Sequence, residues 1–317
     1  MDTLKYTLKR IGLMLLTLFV IFTIVFVLIK MLPNPLPEGA TEAEEARRAA
    51  LGYDKTVIEQ YFIYLGNIIT KWDWGTSWQI RYLENATDVF VDRMIPTIII
   101  NLLSFIIAVP LGILLGVFIA QRKNKWQDHA YGAVIVLFIS LPSFVFAFIL
   151  QYFIAFKLGL FTLKAESITQ VSGWLDPRML YSLMLPILAM AIPFIASTSR
   201  NVRAELSEQL GSEYMLLARC KGLTKRQATF RHCFKNAMIP ILPLLIGAFI
   251  LNFSAGSIVI ENVFGIPGTG QLYVDTIRLL DYDVFMVTSV FFAFVALFAG
   301  LVSDLSFSFL DPRIRVR

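Results

Sequence analysis

Gly211-Ser212-Glu213-Tyr214-Met215-Leu216-Leu217-Ala218-Arg219-Cys220-Lys221-Gly222-Leu223-Thr224-Lys225-Arg226-Gln227 leads through Phe230-Arg231-His232-Cys233-Phe234-Lys235-Asn236 to Ile239-Pro240. This basic run lies between two apolar segments of membrane length. Ser212 stands where it can N-cap a short helix, and Glu213 suits that helix's first turn. Arg219 and Lys221 fall in its last turn, and Gly222 supplies the left-handed C′ position. The expected helix runs from about 213 to 221, about 13 Å at 1.5 Å per residue. Thr224 and Gln227 form a capping box for a second helix beginning near 225, with Phe230 and Phe234 on one face. Helices this short are marginal alone in water, so they need a surface to rest on. Two surfaces remain open: a partner protein, or anionic lipid headgroups.

The rest of the chain says what surrounds this hairpin. Of 317 residues, 57% are hydrophobic and only 16% charged, with a mean hydropathy of +0.68. A soluble domain would carry about a quarter charged residues, so this is an integral membrane protein. The net charge of +5 gives no indication of nucleic-acid binding, because the basic residues sit in short segments beside apolar spans. No Cys/His cluster has metal-ligand spacing. No cleavable signal peptide is evident, since the first apolar run is too long for one.

Six segments are long and apolar enough to span a bilayer, near 11–32, 97–120, 131–157, 180–200, 237–260 and 284–310. An even count puts both termini on one side. Segments 1–10, 121–130, 200–236 and 311–317 hold 17 Lys and Arg, against 9 in the longer set 33–96, 158–179 and 261–283. The first set is therefore expected in the cytoplasm. Cys220 and Cys233 would then be cytosolic and reduced. The expected organisation is a cytoplasmic N-terminus 1–10, a first span 11–32, and a long external loop 33–96. A five-helix core at 97–310 follows, containing the cytoplasmic loop 201–236, and the cytoplasmic tail is 311–317. In the external loop, 41–51 reads as a short helix, and Trp72, Trp74 and Trp78 read as interfacial aromatics.

Small residues recur every fourth position in span two: Ser104, Ala108, Gly112, Gly116 and Ala120. That stripe predicts a close helix–helix seam. Span six carries a similar stripe, Ala296, Gly300, Asp304 and Ser308. Asp304 admits a structural role, paired with an Arg near the span's end, or a coupling role. Asn252 and Gly256 read as interhelical glue in span five. Pro110, Pro142, Pro186, Pro193 and Pro243 each remove a backbone hydrogen bond and favour a bend.

Tyr214, the element Ala218-Arg219-Cys220-Lys221-Gly222-Leu223 and the later Asn236-Ala237-Met238-Ile239-Pro240 resemble the cytoplasmic loop motif of ABC-importer permeases, in the version found in peptide transporters. The broader family begins this element Glu-Ala-Ala, where this chain has Leu216, Leu217 and Ala218. Four further elements resemble the family in the correct order. They are Trp74-Gly75-Thr76-Ser77, Ser140-Leu141-Pro142-Ser143-Phe144, the loop Glu261-Asn262-Val263-Phe264-Gly265-Ile266-Pro267-Gly268-Thr269-Gly270, and Asp311-Pro312-Arg313. The resemblance implies an all-α polytopic fold of six transmembrane helices, the type I ABC-importer permease fold.

It also implies a role: a peptide-importer permease subunit, with nickel chelates, glutathione or another small solute as alternative cargo. Its implied partners are a second homologous permease subunit, two cytosolic ABC ATPases and an extracytoplasmic substrate-binding protein, within a prokaryotic cell membrane. The ATPase-coupling positions would be Glu213, Tyr214, Ala218, Arg219, Lys221, Gly222, Leu223 and Thr224. Glu261, Phe264, Pro267, Gly268 and Gly270 would shape an external gate or a docking surface for the binding protein, or simply make a turn. No Gly-x-x-x-x-Gly-Lys-[Ser/Thr] loop is present, so ATP and Mg are expected on the partner ATPases and no cofactor or catalytic residue on this chain. The only histidines, His129 and His232, lie outside the spans, which argues against an intramembrane Ser/His protease.

Overall fold

A computed structural model describes residues 3–32, 41–254 and 257–310. The expectations placed on Gly256, on Asp311-Pro312-Arg313 and the tail 311–317, and on the side chain of Ser308 lie outside the described residues. The elements run α1 (Thr3–Lys30), α2 (Glu42–Ala50), α3 (Val57–Lys71), α4 (Ala86–Ala120), α5 (Trp126–Ser140) and α6 (Ser143–Leu150), which a π-helical turn extends to Lys157. Then follow α7 (Pro177–Gln209), α8 (Glu213–Cys220), α9 (Lys225–Ala228), α10 (Phe234–Ser254), α11 (Ile258–Phe264), α12 (Thr269–Arg278) and α13 (Tyr282–Leu310). Among the described residues the only β pairing is an isolated antiparallel bridge between Thr76 and Asn85.

Five helices are long and apolar enough to cross a membrane, and a sixth span results if α5 and the helix after it count as one. That pair bends by 104° at Leu141–Pro142. Leu141 precedes a proline and is driven to extended backbone (φ −74°, ψ 126°), which ends α5. The bend expected at every proline occurs in this form only there, because α4, α7 and α10 continue through Pro110, Pro186, Pro193 and Pro243.

The span limits also move. α4 starts at Ala86 rather than 97: its first turns carry Asp88, Asp92 and Arg93 and so escape a hydropathy reading, yet they bury Val89 and Phe90. α7 runs to Gln209, and its polar end carries Arg203, whose guanidinium grips the buried Asp128 of α5 through two contacts of 2.5 and 2.7 Å. The fifth span ends at Ser254 rather than 260, and α11 begins at Ile258 as a separate short helix. In the first loop, α2 matches the expected helix, with Thr41 and Glu44 forming its capping box. α3 was not expected, although Thr56 and Glu59 make the same box.

The α4–α7 seam organises the bundle. All five stripe residues, Ser104, Ala108, Gly112, Gly116 and Ala120, are buried. A Cβ on Gly112 would stand 2.8 Å from Thr198 Cβ, and one on Gly116 would stand 2.6 Å from Val202 Cβ and 2.8 Å from the Ser199 carbonyl. The Ser104 hydroxyl donates across the seam to the Ile187 carbonyl at 3.2 Å. These backbones approach as closely as glycine permits, which is how helices associate where lipid removes the hydrophobic drive.

The stripe in α13 behaves otherwise. Ala296 and Gly300 are exposed and, among the described residues, a Cβ on Gly300 would meet nothing within 4 Å, so these two positions make no seam there. The α10–α13 contact lies one position away, where Gly247 faces Ser303 and the Ala299 carbonyl. Asp304 forms an ion pair with Arg10 of α1 at 3.1 Å, the structural role of the two considered. Asn252 donates to Ala248 of its own helix, so that bond is not interhelical glue.

Candidate functional site

The hairpin is built onto the ends of the long helices. Met215 and Ala218, three residues apart on α8, are buried in a cluster with Val117 and Ala120 of α4, Val202 and Leu206 of α7, and Ala237, Met238 and Ile241 of α10. The Tyr214 hydroxyl donates to Gln209 Oε1 at 2.5 Å, tying α8 to the end of α7. Cys233 is buried with its thiol 3.5 Å from Met215 Sδ, whereas Cys220 is exposed.

α8 is capped at its C-terminal end as expected, but not by a side chain at its N-terminal end. Ser212 occupies the N-cap position with extended backbone, but its hydroxyl makes no capping bond and donates instead to the Gln209 carbonyl at 2.6 Å. The preceding turn competes for that hydroxyl and wins. At the C-terminal end, Gly222 has φ +86°. The Leu223 amide donates to the Ala218 carbonyl and the Gly222 amide to the Arg219 carbonyl, the two bonds of a Schellman motif. Leu223 then packs into the cluster that holds Ala218. Thr224 caps α9 with Gln227 in a complete capping box. A π-helical turn at Thr229–Cys233 joins α9 to α10, and Phe230 and Phe234 lie 6.2 Å apart.

With its inner face pinned, α8 presents Glu213, Leu216, Leu217, Arg219 and Lys221 outward. Leu216 is 62% exposed and Leu217 57%. Two leucines held outward on a helix that is pinned on its inner face and capped at its C-terminal end form an apolar knob ringed by charge, an anatomy suited to a pocket on another protein. The residues read from charge and capping missed this pair. The signal was available in the helical spacing: once Met215 and Ala218 face inward, 216 and 217 face out.

The 257–270 segment is a closed cage. Glu261 is 2% exposed. Its carboxylate accepts from the Thr97 hydroxyl at 2.8 Å and from the Gln271 amide at 2.9 Å, and Thr97 in turn accepts from the Thr269 amide. Burial pushes the Glu261 carboxyl up to about 7, against the opposing pull of these donors. A Cβ on Gly268 would stand 2.4 Å from the Glu261 carboxyl carbon, and one on Gly270 would stand 2.7 Å from the Ile258 amide nitrogen. Phe264 is buried as well, and Pro267 is partly exposed. Glu261, Phe264, Gly268 and Gly270 thus fix the loop's shape from within, and Pro267 alone of the five reaches the surface.

A second lock was not foreseen. Asp281 accepts from the Ser77 hydroxyl at 2.6 Å and from the amides of Trp78, Gln79 and Ile80. Asp283 accepts from the Thr76 amide, and a Cβ on Gly75 would overlap its carboxylate at 2.3 Å. Arg47 of α2 clasps Asp73 with two bonds and Thr76 with a third. The Trp74-Gly75-Thr76-Ser77 element is therefore the clamp that fastens the first loop to the start of α13. Trp74 packs inward near Phe22 and Tyr64, whereas Trp72 is exposed.

A bundle of membrane-length helices, one of them sharply broken, carrying a rigid capped helix beyond their ends, defines a polytopic membrane protein of the transporter class. Residues 112–316 match the family described as binding-protein-dependent transport system inner membrane component, and the chain belongs to that family. It is 35% identical over 315 residues to the dipeptide transport system permease protein DppB of Lactococcus lactis subsp. cremoris (strain MG1363), covering 98% of this chain and 99% of the relative. It is 33% identical to the DppB of Bacillus subtilis (strain 168) over 98% of both chains. It is 31% identical to the glutathione transport system permease protein GsiC of Escherichia coli (strain K12), over 99% of this chain and all of that one.

Proposed function

We propose that this chain is one permease subunit of an ATP-driven importer of short peptides. It pairs with a second homologous permease, two cytosolic ATPases and an extracytoplasmic binding protein. The single observation that carries the reading is the outward knob of Leu216 and Leu217 on a helix whose inner face, N-terminal turn and Schellman end are all tied to α4, α7 and α10. A lever mounted in this way passes a push at its tip directly to the spans. The charge asymmetry supports a cytoplasmic position for α8 and for both termini. ATP is bound and hydrolysed on the ATPases, and closure of the ATPase pair draws the two permeases' levers together, rocking the bundles between outward and inward access. Glu213, Arg219, Lys221 and Thr224 form the polar rim of the contact, while Tyr214, Ala218, Gly222 and Leu223 hold the lever's shape. The Glu261 cage and Pro267 shape the outer face that meets the binding protein.

The test is the double variant Leu216→Glu, Leu217→Glu in the co-expressed complex. The ATPases are expected to be lost on purification while the two permeases stay together. ATPases retained at wild-type stoichiometry, with wild-type peptide uptake, would overturn the reading. The likeness to glutathione permeases favours a second cargo, and analysis of the ligand held by the partner binding protein separates the two.

A further inference from the structure

A cavity of about 490 Å³ opens between α4, α7, the end of α10 and the start of α11. Among the described residues, none that lines it is ionisable. Among the described residues its polar side chains include Asn101, Ser143 and Ser197, with Asn252, whose amide nitrogen already donates to Ala248, and Ser257, which caps α11. One wall is aromatic: Phe105 packs against Phe194, with ring centroids 5.6 Å apart, and against Phe249 at 5.1 Å. The floor is the tight α4–α7 seam, where Ser104 is committed to backbone carbonyls. Ser143 lies just past the 104° break, so the broken helix opens onto this space. A second cavity, under α1, is different in kind, for Lys30 and Asp283 line it.

We propose that this cavity is the chain's half of the peptide translocation site, and that it recognises backbone amide and carbonyl groups without reading side-chain charge. The inference rests on the importer reading above. Peptide groups leaving water need substitute donors and acceptors, which neutral amides and hydroxyls supply. An acyl chain would need none of them. The volume is in the range of small-ligand sites, and apolar walls with a few polar groups are their usual make-up. A lining without charge neither repels nor traps acidic or basic side chains. Conduction needs this, since a site must bind well enough to admit its cargo and weakly enough to release it.

The test installs a charge at Ser197. The complete complex with its binding protein is reconstituted in proteoliposomes, and ATP-dependent uptake of Ala-Glu and Ala-Lys is measured as a ratio. Ser197→Asp is expected to slow Ala-Glu about thirtyfold, the repulsion of like charges about 8 Å apart at an effective dielectric near 20, and so to shift the ratio toward Ala-Lys by at least a comparable factor. Ser197→Arg is expected to shift it the opposite way. The binding protein is the same throughout, so its own preference cancels. Ratios unchanged in both variants, in complexes that import peptide, overturn the cavity assignment alone. A wild-type complex that moves no peptide fails the importer reading instead. Should a charged variant not assemble, Ser197→Cys in a Cys220→Ser background decides: labelling by a small methanethiosulfonate is expected to be slowed by tri-alanine, and labelling indifferent to tri-alanine overturns the proposal.

Discussion

Gly116→Ala and Gly300→Ala make the same chemical change in two small-residue stripes, and the structure assigns them opposite outcomes. At position 116 the new methyl stands 2.6 Å from Val202 Cβ and 2.8 Å from the Ser199 carbonyl. Carbon atoms in contact prefer about 3.5–4.0 Å, so α4 and α7 must part by about 1 Å, a gap that forfeits up to half of each cross-seam contact. One obstacle is backbone, which cannot rotate away. Overpacking of this kind costs about 1–3 kcal/mol, and alanine's better helix propensity returns about 1. The net expectation for Gly116→Ala is a loss of up to about 2 kcal/mol. At position 300 nothing lies within 4 Å, so only the propensity gain remains. With up to about 2 kcal/mol lost at 116 and about 1 gained at 300, and about 2–4 °C per kcal/mol for a large domain, the two melting midpoints should separate by about 2–12 °C. Thermal unfolding of the purified protein in one detergent, followed by size-exclusion of the surviving fraction, reads this directly. Equal midpoints, or a Gly300→Ala variant less stable than Gly116→Ala, would refute the account of the seam.

Two further outcomes follow from buried charge. Glu261 holds its proton more tightly when folded, from an ordinary 4.5 up to about 7. Between those values the folded state carries more protons than the unfolded one, so stability falls as pH rises through that window and levels off above it, by about 3 kcal/mol in all. Glu261→Gln is expected to flatten the dependence of the melting midpoint on pH, and an unchanged slope would count against the cage. Arg203→Ala strands the Asp128 carboxylate, which is buried, and is expected to cost about 3 kcal/mol. Adding Asp128→Asn should restore most of that loss in the same melting assay, whereas additive losses would mean the pair is not coupled.

The sequence carried the bundle well where chemistry is local. Gly222 as a left-handed stop, the Thr224–Gln227 box and the five buried residues of the α4 stripe could each be read from type and spacing. It failed where geometry between distant segments decides. Gly300 repeats the spacing of Gly116, and only the rotation of α13 against α10 turns it outward. Ser212 had the right residue for a cap, but its hydroxyl is held by the preceding turn. The Asp281 and Asp283 clamp joins segments more than 200 residues apart, which no local pattern reveals. The α4 start escaped because hydropathy averages Asp88, Asp92 and Arg93 together with the buried Val89 and Phe90. The Leu216–Leu217 knob was hidden because capping and charge describe how a helix ends and not which face it offers.

A lever seated on an ATPase brings residue 216 against that partner, so a single reactive thiol is placed on the knob, Leu216→Cys in a Cys220→Ser background, and the assembled complex is treated with a short thiol-to-amine crosslinker. The account predicts an adduct between this chain and the ATPase whose yield changes between the nucleotide-free and ATP-bound states. A thiol at Leu175, exposed in the segment before α7, should give no such adduct. ATPase that co-purifies yet forms no adduct from position 216, or forms one from position 175 instead, would contradict it.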